Sequence, residues 1–295
     1  MFDFVGRWKI WFCASAAVIA VGLAFLLAPG AGLRMGIDFT GGMLTEIEFQ
    51  GRPSTSQISR VLEANGFAGS MVQKVGTDGR VALIRTKAFT AEQRQALFDS
   101  MKEELGPYQV RRIDEVNAVI GKELARKALL ALVIANLGMV GYITLRFEFK
   151  FAVAAVVALL HDVLVTVGVV SILGMEVNSP FAAALLTVIG YSVNDTIVVY
   201  DRIRENVKSA RTRDLASVVN LSISETLMRS INTALTTLLA VVAVLVFGGP
   251  TIREFAVALL VGITAGTYSS IFIASPLWVL WKNRERRGKP GLKTA

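Results

Sequence analysis

Six stretches of the chain are long and almost wholly apolar: Ile10–Ala28, Ala128–Leu145, Phe151–Leu173, Pro180–Tyr200, Ile231–Phe247 and Phe255–Trp281. A helix needs roughly 20 mostly apolar residues to cross the hydrocarbon of a bilayer, so each predicts a membrane span. The fifth is short as bounded, but no formal charge occurs from Ser230 to Ile252, and it extends readily. The first could also serve as a cleaved export signal. Its apolar stretch exceeds the usual signal core of about 7–15 residues, which favours an uncleaved anchor.

Between the first two spans the pattern changes. From Met35 to Lys127 there are 13 Lys/Arg and 12 Asp/Glu, the mixed surface of a globular insert. Alternation over Met43–Phe49 predicts a strand, Ser54–Asn65 a helix, Met71–Val75 and Val81–Thr86 two strands, Thr90–Leu105 a second helix and Gln109–Val116 a last strand. Ser54 with Gln57, and Thr90 with Gln93, have the spacing of capping boxes. Asp78-Gly79 marks a hairpin between the middle strands. The order β-α-β-β-α-β is the ferredoxin-like arrangement, which leaves one sheet face free for a partner. Asn117–Lys127 predicts a polar helix running directly into the second span. The fold class expected is an α-helical polytopic membrane protein with one ferredoxin-like α+β insert. Its parts are 1–28 (N-terminus and first span), 29–127 (insert and connecting helix), 128–281 (spans two to six) and 282–295 (basic tail).

Composition supports the membrane class: 53% hydrophobic, 18% charged. Basic residues set the orientation. Arg7 and Lys9, Arg146 and Lys150, the group from Arg202 to Arg213, and the group from Lys282 to Lys293 all fall on one side if six spans alternate. The opposite loops are nearly bare; Gly248–Glu254 carries only Arg253. Both termini are therefore expected in the cytoplasm and the insert outside it. Trp8, Trp11, Trp278 and Trp281 lie at the cytoplasmic ends of the first and last spans, where aromatic rings favour the interface. The net charge of +8 is thus mainly a topology signal. It argues against nucleic acid as a partner and lets the tail meet anionic lipid. One cysteine and one histidine leave no disulfide framework or zinc set. No enzyme nucleophile stands out.

Asp195 is the one formal charge between Pro180 and Tyr200. A carboxylate in hydrocarbon is costly and marks a functional group by default. Thr187, Tyr191 and Asp195 share a helix face by their i, i+4, i+8 spacing, and Asn194 adjoins it. Six residues separate Asp195 from Asp201 at the boundary, about 9 Å of depth. Asp195 is either a protonatable relay or a hydrogen-bonded link between helices. His161-Asp162 lies at the centre of span three; adjacent positions point about 100° apart and need not act together. Asp162 is open to the same two readings. Arg229, at the start of span five, is either a positive anchor or a charge partner for Asp195. Gly262, Gly266 and Ser270 form a small-residue row suited to helix packing. The segment Gly36–Gly42 signals a turn, and Asp201–Asn206 a solvated helix extension.

GIDFTGG after the first span, HDV in the third, GYSVNDTIVVYDRIREN ending the fourth and FGGPTIREF between the fifth and sixth resemble the SecD/SecF family, and within it the SecF subunits. The likeness covers nearly the whole chain. It implies a permease of the resistance-nodulation-division type that pairs with SecD, works with the SecY-E-G translocon and possibly YajC, and helps export unfolded preproteins using the proton-motive force. Asp195 matches the family aspartate of NDTIVV and Arg229 the arginine opening span five, both linked there to proton passage. The implied coupling ion is the proton, and no other cofactor is implied. A half-unit of a small-molecule exporter of the same type is the main alternative. An intramembrane aspartyl protease using Asp162 and Asp195 lacks the expected GxGD motif, and a passive scaffold would need no proton coupling.

Overall fold

The computed structural model describes residues 2–28, 32–76, 78–210 and 214–288, excepting the side chains of 250, 251 and 286–288. Arg211, Arg213, Lys289, Lys293 and the end of the expected tail lie outside the described residues. The chain divides into two compact units, one of Met1–Arg34, Leu130–Glu176 and Pro180–Ala295, the other of Met35–Leu129 and Val177–Ser179.

The elements run α1 (Trp8–Leu27), β1 (Arg34–Met35), α2 (Ile37–Thr40), β2 (Gly42–Phe49), α3 (Thr55–Ala64), β3 (Met71–Val75), β4 (Val81–Thr86), α4 (Ala91–Leu105), β5 (Tyr108–Val116), α5 (Ala118–Arg146), α6 (Phe149–Ile172), β6 (Glu176–Val177), α7 (Ser179–Ser209), α8 (Leu215–Phe247) and α9 (Pro250–Ser269). A π-helical turn, Ser270–Ala274, joins α9 to α10 (Ser275–Gly288).

In the helical unit, six helical stretches among the described residues are long and apolar enough to span a membrane: Trp8–Leu27, Ala118–Arg146, Phe149–Ile172, Ser179–Ser209, Leu215–Phe247 and Ile252–Glu285. The chain is a multi-pass membrane protein. Several helices outrun their apolar cores. The polar approach to the second span is continuous with it in α5, and Asp201–Asn206 continues α7, with Arg202 and Glu205 paired at 2.6 Å one turn apart. The largest departure from expectation is α8. It begins at Leu215, capped by Asp214, whose carboxylate accepts the backbone N–H of Ala216 and Ser217. Arg229 therefore lies well inside a helix, and the polar residues before it are held by its regular hydrogen bonding.

Close approach of helices is bought with small residues, since lipid offers no hydrophobic drive between them. A β-carbon on Gly22 would sit 2.8 Å from the Gly168 Cα, so α1 and α6 touch backbone to backbone. One on Gly266 would lie 2.8 Å from the Ser192 Cβ, and one on Gly262 would strike Val188. The small-residue row thus seats α9 against α7. The aromatic core gathers Phe147, Phe151, Tyr200 and Trp278, with the Phe151 and Trp278 rings stacked 4.5 Å apart. Trp278 is 2% exposed. Its expected place in the lipid interface is corrected: ring stacking and burial hold it inside the protein.

In the second unit, β2–β5 form an antiparallel sheet of order β3-β4-β2-β5. Ile47, Phe49, Ala82 and Ile84 from the strands pack with Ile58, Val61 and Leu62 of α3 and Leu97 and Met101 of α4, so both helices cover one face. Both capping boxes form: Ser54 with Gln57, and Thr90 with Gln93, each bond in both directions. The β3–β4 hairpin turns through Gly76 and Gly79 with positive φ, and the Lys74 Nζ donates to the Gly79 carbonyl at 2.6 Å. The Gly36–Gly42 segment holds a short helix rather than a bare turn. Gly41 (φ 73°) follows it, where a β-carbon would collide with the Ala118 Cα at 2.4 Å. The paired glycines are needed there both for backbone conformation and for room against the start of α5.

Candidate functional site

The candidate residues fall into two clusters in the helical unit. The first surrounds Asp162, which is 0% exposed. Its Oδ2 accepts hydrogen bonds from the Ser192 hydroxyl on α7 at 2.6 Å and the Ser269 hydroxyl on α9 at 2.9 Å. Its Oδ1 lies 2.9 Å from the His161 Nδ1. The adjacent pair is therefore within hydrogen-bond distance, although neighbouring positions on an ideal helix point about 100° apart. An imidazole on a flexible Cβ can swing back over its neighbour, and burial removes the competing water. On its far side the His161 Nε2 lies 3.1 Å from the Ser15 Oγ of α1. The Ser15 hydroxyl in turn faces the Tyr268 Oη at 3.4 Å, and that phenol donates to the Trp11 carbonyl at 2.9 Å. A continuous polar string thus runs from α1 through α6 to α7 and α9.

The second cluster surrounds Asp195, 8% exposed. The Ser230 hydroxyl of α8 donates to its Oδ1 at 2.6 Å. Its Oδ2 is buried and has no hydrogen-bond partner among the described residues, and the same holds for the Tyr191 Oη one turn earlier. Buried polar atoms without partners are uncommon in folded proteins, and here two of them belong to residues one turn apart on α7. Arg229, next to Ser230, is exposed and makes no ion pair with Asp195 among the described residues. Thr187 is exposed and its hydroxyl bonds back to the Ala183 carbonyl. Asn194 is exposed as well. The predicted stripe therefore runs from the outer surface at Thr187, through half-buried Tyr191, to buried Asp195.

The clusters are tied through α7. Ser192 and Asp195 lie one turn apart, and Thr196 follows Asp195 directly. The Thr196 Oγ1 is 2.7 Å from the Ser270 Oγ, which opens the π-helical turn. In that turn the Ser275 hydroxyl donates to the Ser270 carbonyl, five residues back, at 3.0 Å. Single π turns recur at functional sites because they free backbone groups inside a helix. Ser192, Ser230, Ser269 and Ser15 were missed by sequence reasoning, which read Ser270 only as a packing residue. A serine in an apolar helix has too weak a signal alone; only the facing helix shows which carboxylate it serves. Among the described residues no group of three or more His, Cys, Asp or Glu side chains is placed to hold a metal.

A family model described as "Protein export membrane protein SecD/SecF, C-terminal" matches residues 97–284, the region holding Asp162 and Asp195. The chain belongs to the SecD/SecF family of protein-export membrane proteins. A model for the SecD/SecF GG motif matches residues 27–51, around the paired glycines beside α5. Among SecF relatives, the protein translocase subunit SecF of Sebaldella termitidis is 42% identical over 95% of this chain and 94% of its own. The SecDF of Bacillus subtilis is 39% identical over 96% of this chain but 38% of its own length, so this chain spans one part of that longer protein. The crystal structure of a Thermus SecDF, described as a translocon-associated membrane protein, superposes with a TM-score of 0.88 at 38% identity. That match covers 96% of this chain and 39% of the other. A second SecDF structure, in a form termed super-membrane-facing, superposes at 0.69 with 37% identity. The SecD/SecF relatives are named as translocase subunits, which is a transport role in protein export and not an enzymatic one.

Proposed function

We propose that this chain is the SecF half of a proton-driven export unit in the bacterial cytoplasmic membrane. It pairs there with SecD, works beside the SecY-E-G translocon and YajC, and handles unfolded preprotein. The fused SecDF relatives support the SecD pairing, since two chains that occur as one polypeptide elsewhere are natural partners as two. The distribution of basic residues supports cytoplasmic termini. The same distribution supports an insert outside the cytoplasm, and the strand order β3-β4-β2-β5 suits the ferredoxin-like description.

The observation that carries the mechanism is Asp195: one carboxylate oxygen held by Ser230, the other buried without a partner. A proton taken up on Oδ2 removes a charge from hydrocarbon. Release restores the charge and favours a closer approach of Arg229 from the next helix. The Asp162 and His161 cluster, sharing α7 through Ser192, carries the consequence to α1, α6 and α9. One charge moving through 100 mV releases about 2.3 kcal/mol. A few protons per cycle are then enough to shift α7 against its neighbours and bias the insert between two arrangements.

The test is export into sealed vesicles holding this chain with SecD and the translocon, measured with and without a proton gradient. Asp195→Asn keeps the shape and an acceptor for Ser230 but cannot shuttle a proton. It should abolish the gradient-dependent part while leaving assembly with SecD unchanged. Gradient-stimulated export at the unsubstituted level in this variant would sink the relay.

A further inference from the structure

A second built site lies at the basic end of the helical unit, away from both carboxylate clusters. A cavity of about 490 Å³ opens between the end of α5, the start of α6, α7, the start of α8 and α10. Its wall includes Phe151, Leu215 and Trp278, and its rim carries Arg146, Arg204, Lys208 and Lys282 against a single carboxylate, Glu148. The cations are incompletely matched. Lys282 is paired with Glu148 at 2.7 Å, and Arg146 stands 3.7 Å from Asp201. Among the described residues the Arg204 guanidinium donates only to the Arg146 carbonyl, at 3.3 Å, and Lys208 makes no ion pair. Arg204 and Lys208 are i, i+4 on α7 and so present their charges side by side.

An independent observation points to a ligand. Trp278 is 2% exposed, lines this cavity, and its indole N–H has no hydrogen-bond partner among the described residues. A buried donor with no acceptor beneath a rim of excess cations is complementary to an anion. The apolar wall below the charges, at the mouth of helices long enough to span a membrane, is complementary to a chain attached to that anion. Basic pockets between spans at this level suit phospholipid head groups.

We propose that this cavity is a binding site for the phosphate of an anionic phospholipid. Arg204 and Lys208 meet the phosphate oxygens, and the Trp278 N–H supplies a donor from the cavity wall. An acyl chain lies along Phe151 and Leu215. Because the cavity is built from the ends of five helices, an occupying lipid ties α7 to α10 independently of the proton relay.

Native mass spectrometry of the full chain in neutral detergent tests this. Phosphatidylglycerol, cardiolipin and phosphatidylcholine are titrated, with inorganic phosphate and poly-glutamate as competitors. The two anionic lipids should be retained at least ten-fold more tightly than phosphatidylcholine. The double variant Arg204→Gln/Lys208→Gln should lose that preference, and Arg204→Lys/Lys208→Arg should keep most of it. Trp278→Phe, which preserves ring stacking, should weaken the anionic lipids several-fold. Lys9→Gln, a charge change outside the cavity, should leave them unchanged. Equal retention of all three lipids, or an equal loss in Lys9→Gln, would overturn the site. Displacement by inorganic phosphate at the lipid's own concentration would mark a soluble-anion site, and displacement by poly-glutamate a peptide site; either refutes the lipid assignment.

Discussion

Replacing Ser192 and Ser269 together by alanine tests whether Asp162 fastens three helices. The carboxylate is 0% exposed, and these hydroxyls are its two donors from other helices, at 2.6 and 2.9 Å. Interhelical hydrogen bonds in membranes are worth about 0.6 kcal/mol on average and about 1.7 at most. Those values come from sites where the remaining group finds another partner. Here water has no access, so an oxygen left unmet adds a desolvation cost of about 1–3 kcal/mol. The double variant should therefore lose about 2–4 kcal/mol, and less than the sum of the singles would indicate a shared acceptor. Reversible unfolding in mixed micelles, followed by helicity or steric trapping, reads this directly. Thr236→Ala is the control: that exposed hydroxyl bonds only to carbonyls of its own helix, and its loss should stay within about 0.5 kcal/mol. A double variant no less stable than the control would refute the idea that Asp162 joins α6, α7 and α9.

Gly266→Ala should cost about 1–3 kcal/mol in the same assay, because its β-carbon would sit 2.8 Å from the Ser192 Cβ and push α9 off α7. Gly190→Ala, with nothing within 4 Å, should be neutral or stabilising; equal effects of the two would refute the close-packing argument. Thr90→Ala should lose the cap of α4, about 1 kcal/mol, seen as faster hydrogen exchange in the first turn of that helix but not of α3. The Asp3 carboxylate accepts from the Gly6 N–H first and from the Asn220 amide second, and these bonds hold its pKa below the usual 3.8. A group depressed on folding adds stability above its unfolded value and loses it as pH falls through the folded one. Protection of the Phe4 and Val5 amides, which donate to the Asn220 Oδ1, should accordingly fade below about pH 4 and not in Asp3→Asn. The same acid profile of that protection in the unsubstituted chain and in Asp3→Asn would remove Asp3 from that anchor.

Much of the framework was legible in the chain. The six apolar runs appear as six span-length helices, because burying twenty apolar residues leaves few choices in hydrocarbon. Both capping boxes and the four strands of the insert's main sheet appear within a residue or two of expectation, since local hydrogen bonding and period-two alternation specify them, whereas the two-residue β1 carries no such signal. Helix ends were less legible. The apolar signal of the fifth span starts near Ile231, but the helix starts at Leu215, where polar residues face other protein surfaces instead of lipid. Trp278 was misplaced for a related reason. Composition shows that a ring lies near a boundary, not whether it faces lipid or Phe151.

The carboxylates divide the same way. An isolated Asp195 in an apolar run, and Asp162 beside the chain's one histidine, are conspicuous from sequence because charge in hydrocarbon is costly wherever the helices pack. Which atoms answer them depends on rotation and register between helices that lie far apart in sequence. Only the tertiary structure decides that Ser230, and not Arg229, holds Asp195, that Ser192 and Ser269 hold Asp162, and that the second oxygen of Asp195 stays unmatched. Sequence alone determined the class of the protein and its two expensive acids. Packing decided their partners, because a serine hydroxyl carries meaning only when a facing helix brings it within hydrogen-bond reach.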